Sequence, residues 1–275
     1  MNFNYVNYSP VFIHANDLND AYFTLLYKLW NEGRRNIPIT SGSFAGSSRI
    51  EFDFVSGFIK FPHTRPLAPM MPPAVDPVTT DEKIESYFAT YLMDSNLNPH
   101  EHYRYACWIN STKHYNEFDH FPTRDINFYN RNKETPIEWV IRHFKEKGYG
   151  NNHCYVNIGN VDSGFNYDIK YNNETDRKTS PCFRGIDFKI KEGQLITSVI
   201  FRSWDLYSGF PENMGGIALL NQYVCEQLGD VKPGPLAFTS AGLHAYSHQV
   251  KPIMKILNQE DDIVDNVDNP FTLGK

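Results

Sequence analysis

Apolar residues recur at helical spacing in four segments of the chain. We predict a first helix over residues 16–32, where leucines and a tyrosine fall three or four residues apart and Gly33 supplies a stop. A second helix is predicted to start near Thr79, because Thr79 and Glu82 stand at the spacing of a capping box.

The third and fourth helices have equally clear boundaries. Thr135 is expected to cap a helix over 136–147, with Glu138 completing the capping box and Gly148 following the last turn. A fourth amphipathic pattern predicts a helix over 213–228.

Strand patterns lie between these helices. Apolar and polar residues alternate over 49–61, whereas 187–203 predicts a hairpin with its turn at 191–194. Six prolines within 62–77 predict an irregular extended segment. Because hairpin-joined strands alternate with helices, we predict an α+β fold in a single domain over 1–275.

Composition narrows the class of protein. The chain has 275 residues with 41% hydrophobic and 15% aromatic content, which excludes disorder, and its net charge of −6 argues against nucleic acid or a membrane surface as partner. We find no spanning segment and no signal peptide, so we expect a cytoplasmic protein. The acidic tail from about residue 258 is predicted to be mobile.

The four cysteines fit neither a disulfide framework nor a zinc site; they stand at positions 107, 154, 182 and 225. His244 and His248 stand four residues apart and His100 and His102 two apart, but no third ligand accompanies either pair. We therefore expect no metal.

Cys182 and Arg202 are expected to meet. A hairpin turning at 191–194 returns the chain from Cys182 to the neighbourhood of Arg202, and a guanidinium near a thiol favours the nucleophilic thiolate. The alternative is that Cys182 is a small buried hydrophobe, as free cysteines commonly are.

A block of residues around these two resembles the active-site block of the thymidylate synthase family, which has P-C-H, then R-S-x-D about twenty residues on, then G-x-P-x-N. Here Arg202 follows Cys182 by 20 residues and Asn213 follows it by 31. Downstream, His244-Ala245-Tyr246 resembles the family's G-D-x-H-x-Y segment. The matching positions of the block are Pro181, Cys182, Arg202, Ser203, Asp205, Gly209, Pro211 and Asn213.

The resemblance implies a fold and a reaction. The fold would be a mixed sheet flanked by helices, with two subunits packed sheet to sheet in a homodimer. The reaction would place one carbon from the co-substrate 5,10-methylenetetrahydrofolate on C5 of a pyrimidine nucleotide. Cys182 would be the nucleophile that adds to C6, and Arg202 would lower its pKa.

The resemblance also assigns binding roles. Arg202 and Ser203 would bind the substrate phosphate, and Asn213 would read a uracil base, since its amide offers one acceptor and one donor. The sugar hydroxyl would be bound by His244 and Tyr246.

Three further residues complete the assignment. Asp205 would bind the pterin ring of the folate. Glu85 would be the general acid and base, and Trp108, twenty-three residues further on, would pack on the folate. The alternatives for this last pair are a solvated helix residue and a core tryptophan.

The chain departs from the family pattern around the phosphate. Phe183 replaces the family histidine, Asn151-Asn152 stand where two arginines are usual, and 40–43 replaces an arginine-containing loop near Arg34, Arg35 and Arg49. Alternatives therefore stay open: a pyrimidine nucleotide hydroxymethylase, a specialised biosynthetic relative, or a non-catalytic nucleotide-binding protein.

Overall fold

The protein is described here by a computed structural model, which covers residues 9–40, 44–73, 75–101, 103–112, 134–159, 163 and 181–258. Ten strands occur within these ranges. They are β1 (Val11–Ala15), β2 (Arg34–Pro38), β3 (Ser48–Glu51), β4 (Val55–Ile59), β5 (Tyr155–Asn157), β6 (Phe183–Lys191), β7 (Gln194–Phe201), β8 (Trp204–Asp205), β9 (Lys232–Ser240) and β10 (Leu243–Tyr246).

The strands form two sheets. The larger sheet has the order β1-β4-β9-β7-β6-β5 and the smaller one the order β2-β3-β10-β8. Both are mixed: β7 runs parallel to β9 and antiparallel to β6, and β10 runs parallel to β8 and antiparallel to β3. The segment 49–61, predicted as one strand, is divided between the two sheets as β3 and β4.

Six α-helices flank the sheets in the described parts of the chain. They are α1 (Leu18–Glu32), α2 (Asp81–Tyr87), α3 (Ala106–Ile109), α4 (Pro136–Lys147), α5 (Gly209–Leu228) and α6 (Val250–Leu257). A π-helical turn, Phe88–Leu92, continues α2. The predicted α+β architecture is confirmed.

The helix boundaries follow from local capping. The predicted capping box of α4 is present between Thr135 and Glu138. The cap predicted for α2 is wrong by one residue: the side chain of Thr80 accepts the capping bond, whereas the Thr79 hydroxyl donates to Glu212 on α5 at 3.1 Å. Helix α5 starts at Gly209, four residues before the predicted start.

The β6–β7 hairpin is present, with a two-residue turn at Glu192 and Gly193. Both residues have positive φ, of 52° and 72°, as the tight turns that suit the twist of a hairpin require. The strands pair from Lys191 and Gln194 to Phe183 and Phe201, which places the two open ends side by side.

The core is continuous between the sheets and the helices. The apolar faces of α1 and α5 are buried, and the large sheet alternates buried and more exposed positions along its strands. Within the described ranges no helix combines the length and the apolar character that crossing a membrane requires. The acidic tail beyond Asn258 and three residues of the 40–43 segment lie outside those ranges.

Candidate active site

The open end of the β6–β7 hairpin brings Cys182 and Arg202 together. Cys182 immediately precedes β6 and Arg202 immediately follows β7. The backbone N–H of Arg202 donates to the carbonyl of Cys182 at 2.9 Å, and its Nε donates to the carbonyl of Pro181 at 3.2 Å. The guanidinium is therefore oriented by the segment that carries the thiol.

Cys182 is the most accessible of the four cysteines. It is half-buried, whereas Cys107, Cys154 and Cys225 are buried. Burial raises the pKa of the Cys182 thiol, although the positive charges of Arg202 and Arg184 act to lower it. The expected lowering by Arg202 is therefore present but is outweighed by desolvation, and the thiol is protonated near neutral pH.

The amide of Asn213, in the first turns of α5, is held from both sides. Trp204 Nε1 donates to Asn213 Oδ1 at 2.8 Å, and Asn213 Nδ2 donates to the hydroxyl of Tyr87 at 2.8 Å. Trp204 is only 2% exposed and stacks on Phe201 with ring centroids 3.8 Å apart. This part of the site is rigidly packed.

A group of tyrosines faces the hairpin from α2, the π-helical turn and the segment before α3. Burial raises the pKa of Tyr91 to about 12, and that of Tyr105 rises for the same reason, with proximity to Cys182 contributing to both. Tyr87 stacks on Tyr91 at 5.3 Å. Sequence reasoning missed this group, although Tyr87 and Tyr91 stand one helical turn apart, which places them on one face.

Glu85 lies away from this group. It is 59% exposed and pairs with Arg65 at 3.5 Å, on the solvent side of α2. Two residues along a helix turn by about 200°, so Glu85 and Tyr87 point in opposite directions. The structure thus places Tyr87, and not Glu85, against the site.

Trp108 lies in the core. It is 6% exposed, in α3, and contacts Tyr103 with ring centroids 5.7 Å apart. This placement matches the core alternative, because a buried indole face is not offered to a ligand.

His244 carries a buried acceptor. Its Nδ1 lies 3.0 Å from the carbonyl of Gly242, which can only accept, so Nδ1 is the protonated nitrogen. Burial lowers the pKa of His244, so the ring is neutral and Nε2 carries a lone pair. That atom is buried with no hydrogen-bond partner among the described residues. Tyr246 contacts the ring at 4.7 Å.

Asp205 is engaged within the protein. Its carboxylate accepts from the backbone N–H of Tyr207 at 3.0 Å, from the hydroxyl of Ser208, and from Gln249 Nε2 at 3.3 Å. A carboxylate has about four lone-pair positions, so room remains for one further donor. The neighbouring Ser203 is half-buried between Arg202 and Trp204.

The arginines that could replace the missing phosphate-binding residues already contact other groups of the protein. Arg34 pairs with Asp53 at 2.9 Å and Arg49 with Glu51 at 2.7 Å. Arg35 lies 4.5 Å over the ring of Trp30.

The two other departures also have structural roles. Asn151 forms the turn after α4, where its Nδ2 donates to the carbonyl of Gly148 at 2.7 Å. Phe183 is fully buried and stacks on Phe201 at 4.7 Å. In the parts of the chain that the structure describes, no group of three or more His, Cys, Asp or Glu side chains is arranged to hold a metal ion.

Comparison with solved structures defines the fold class. The chain is similar to thermostable thymidylate synthase A from Bacillus subtilis, with a TM-score of 0.58 over 88% of this chain and 84% of that one. Because the sequence identity is only 13%, this likeness shows the fold alone.

Sequence comparisons extend the assignment. Residues 166–267 match the thymidylate synthase family model. Proteins named "Putative thymidylate synthase" from Methanosarcina mazei and Methanosarcina acetivorans are 28% and 26% identical over 250 residues, covering 90% of this chain and 95% of each relative. Together these findings show that the chain is similar to thymidylate synthases in fold and, over residues 166–267, in sequence, which supports a divergent relative of that family.

Proposed function

We propose that the protein transfers a one-carbon unit to C5 of a uracil nucleotide through a covalent bond between Cys182 and C6 of the base. The observation that carries this proposal is made at the open end of the β6–β7 hairpin, where the half-buried Cys182 thiol lies beside the Arg202 guanidinium. Thiolate addition to C6 moves the C5–C6 π electrons toward C5 and O4, which makes C5 nucleophilic.

The remaining polar groups suit the parts of a nucleotide. The fork of Arg202 donors and the Ser203 hydroxyl can bind phosphate oxygens. The orphaned Nε2 of His244 can accept from a sugar hydroxyl, beside Tyr246. The Asn213 amide can pair with N3–H and O4 of uracil.

The family uses methylenetetrahydrofolate, which when bound supplies the one-carbon unit and, for a methyl product, the hydride. Of the two residues predicted to bind it, Asp205 keeps capacity for one donor, whereas Trp108 is buried and does not fit a stacking role. The carbon–nitrogen bond to the folate would break on transfer, with its electron pair kept by the folate nitrogen. Loss of the C5 proton to solvent and elimination of the Cys182 thiolate would then restore the C5–C6 double bond.

The charge pairs around Arg34 and Arg49 favour a second candidate, a relative whose substrate lacks the usual 5′-phosphate. Carboxylates of Glu51 and Asp53 already compensate these arginines. Measuring the affinity for dUMP and for deoxyuridine separates the two candidates, because only a protein that binds the 5′-phosphate loses affinity when that phosphate is removed.

The large sheet supports a homodimer as part of the proposal. Phe12 and Ile200 are 68% and 44% exposed, and strand register aligns them in one row with Ser56 and Thr239. Large apolar side chains exposed on a sheet face are typical of an interface. Light scattering should give a dimer mass that falls to the monomer mass in an Ile200→Asp variant; a monomeric wild type would contradict this part.

The reaction is tested by incubating the protein with methylenetetrahydrofolate and dUMP, UMP, dCMP or CMP and weighing the nucleotides. A methyl group gained by dUMP is the expected result. A hydroxymethyl product would instead show that water captures the carbon. An unchanged panel would contradict the proposal and favour the specialised or non-catalytic alternatives.

A further inference from the structure

The side-chain amide of Asn213 can take only one orientation in this structure. The indole Nε1–H of Trp204 is a donor and never an acceptor, so it requires the amide oxygen on its side. The Nδ2 group is consequently turned to the hydroxyl of Tyr87. Each amide atom keeps one further bonding position, an Oδ1 lone pair and an Nδ2 hydrogen.

The two partners differ in what they tolerate. A hydroxyl both donates and accepts, so Tyr87 could bind either end of the amide. Trp204 could not: a flipped amide would bring Nδ2–H against Nε1–H, two donors facing each other with no acceptor between them. Trp204 is therefore the partner that excludes the flipped orientation.

Packing keeps the indole in place. Trp204 stacks on Phe201 almost in parallel, with an interplanar angle of 2°, and contacts Phe210 at a centroid distance of 4.8 Å. Phe201 in turn stacks on Phe183, the residue that follows Cys182. The orientation of the amide is thus tied to the hairpin that carries the thiol.

Asn213 is half-buried, one helical turn after Gly209 on α5. At Gly209 the backbone has no side chain, and a Cβ there would lie 3.8 Å from Asn213 Oδ1. Glycine at position 209 therefore places no side chain against this oxygen.

Pyrimidines differ at the edge that an amide would read. Uracil presents a donor at N3 beside an acceptor at O4, whereas cytosine presents an acceptor at N3 beside a donor at N4. An amide that serves one base must flip to serve the other in the same position. We propose that Trp204 is a positioning residue that locks the Asn213 amide and so makes the site select 4-oxo over 4-amino pyrimidines. This inference rests on the proposed function, since it assumes that Asn213 contacts the base.

The test measures binding and needs no turnover. Calorimetric dissociation constants for dUMP and dCMP are compared in the wild type, Trp204→Phe and Tyr87→Phe. Trp139→Phe serves as the matched control, because Trp139 stacks on His143 of α4 and has no contact with the amide. Thermal unfolding checks that each variant is folded.

We expect the wild type to bind dUMP more tightly than dCMP. In the Trp204→Phe variant the ratio of the dCMP to the dUMP dissociation constant should fall about tenfold, mainly because dCMP binds more tightly. Tyr87→Phe should change the ratio by less than about threefold, and Trp139→Phe should leave it unchanged. An unchanged ratio in a folded Trp204→Phe variant, or a wild-type preference for dCMP, would overturn the lock. If the wild type binds neither nucleotide, the proposed function itself fails.

Discussion

The two walls of the candidate site differ in chemistry. The wall formed by the β6–β7 hairpin and the start of α5 carries a thiol, a guanidinium and an amide. The facing wall, from α2 to α3, carries Tyr87, Tyr91 and Tyr105, whose raised pKa values keep their hydroxyls protonated. The first wall can form a covalent bond and bind charge. The second offers neutral hydroxyls, and the Glu85 carboxylate on the same wall points to solvent and pairs with Arg65.

The largest expected effect is on the thiol. Cys182→Ser should lower turnover by about 10⁴-fold or more, because a hydroxyl is a far weaker nucleophile near neutral pH. Product mass spectrometry measures turnover, and nucleotide affinity should change little. If the Cys182→Ser variant retained turnover, the first wall would not act through a covalent bond and the two walls would not differ in this respect.

The ionisation of Cys182 gives the next largest effect. Since burial raises the pKa of Cys182 above its ordinary value, the thiolate fraction should still be rising with pH between pH 7 and 9. Iodoacetamide labelling of Cys182 should accelerate accordingly, while the three buried cysteines stay unlabelled. A rate already constant at pH 7 would show that the arginines outweigh burial.

Arg202 places a positive charge near the Cys182 thiol. Arg202→Gln should raise the pKa of Cys182 further and remove charge-assisted hydrogen bonds to phosphate, so kcat/KM should fall by about 30-fold. Arg184→Gln is the matched control and should slow Cys182 labelling less, because Arg202 has the larger influence. Equal effects would mean that Arg202 contributes only general positive charge.

The tyrosine wall should respond more modestly. Tyr91→Phe removes one neutral hydroxyl and should lower kcat/KM by about tenfold or less. Because the pKa of Tyr91 is about 12, the size of this loss should not vary between pH 6 and 9. A pH-dependent loss would indicate that this hydroxyl exchanges a proton during turnover.

Glu85 should give the smallest effect. Glu85→Gln breaks only an exposed contact with Arg65, so activity and stability should stay within about twofold of the wild type. Steady-state kinetics at pH 7 measures this, with Glu82→Gln on the same exposed face as control. A loss of a hundredfold would instead support the predicted role of Glu85 as the general acid and base.

The two walls also differ in how well the sequence predicts them. Register in a hairpin follows from local rules, so the proximity of Cys182 and Arg202 could be predicted from a two-residue turn. The direction in which Glu85 points depends on the exact phase of α2 against α5, and the cap at Thr80 differs from the predicted one by a residue. The lock on Asn213 joins α2, β8 and α5, and no local spacing reveals such a contact.

The bond between Cys182 and C6 of uracil is the central step of the proposed reaction. A 5-fluorinated dUMP tests it, because fluorine at C5 leaves no proton to release and the adduct should accumulate in the presence of methylenetetrahydrofolate. Intact-protein and peptide mass spectrometry should then find the nucleotide on the peptide containing Cys182, and the Cys182→Ser variant should show none. Methylation of dUMP by a protein that forms no adduct at Cys182 would contradict the account.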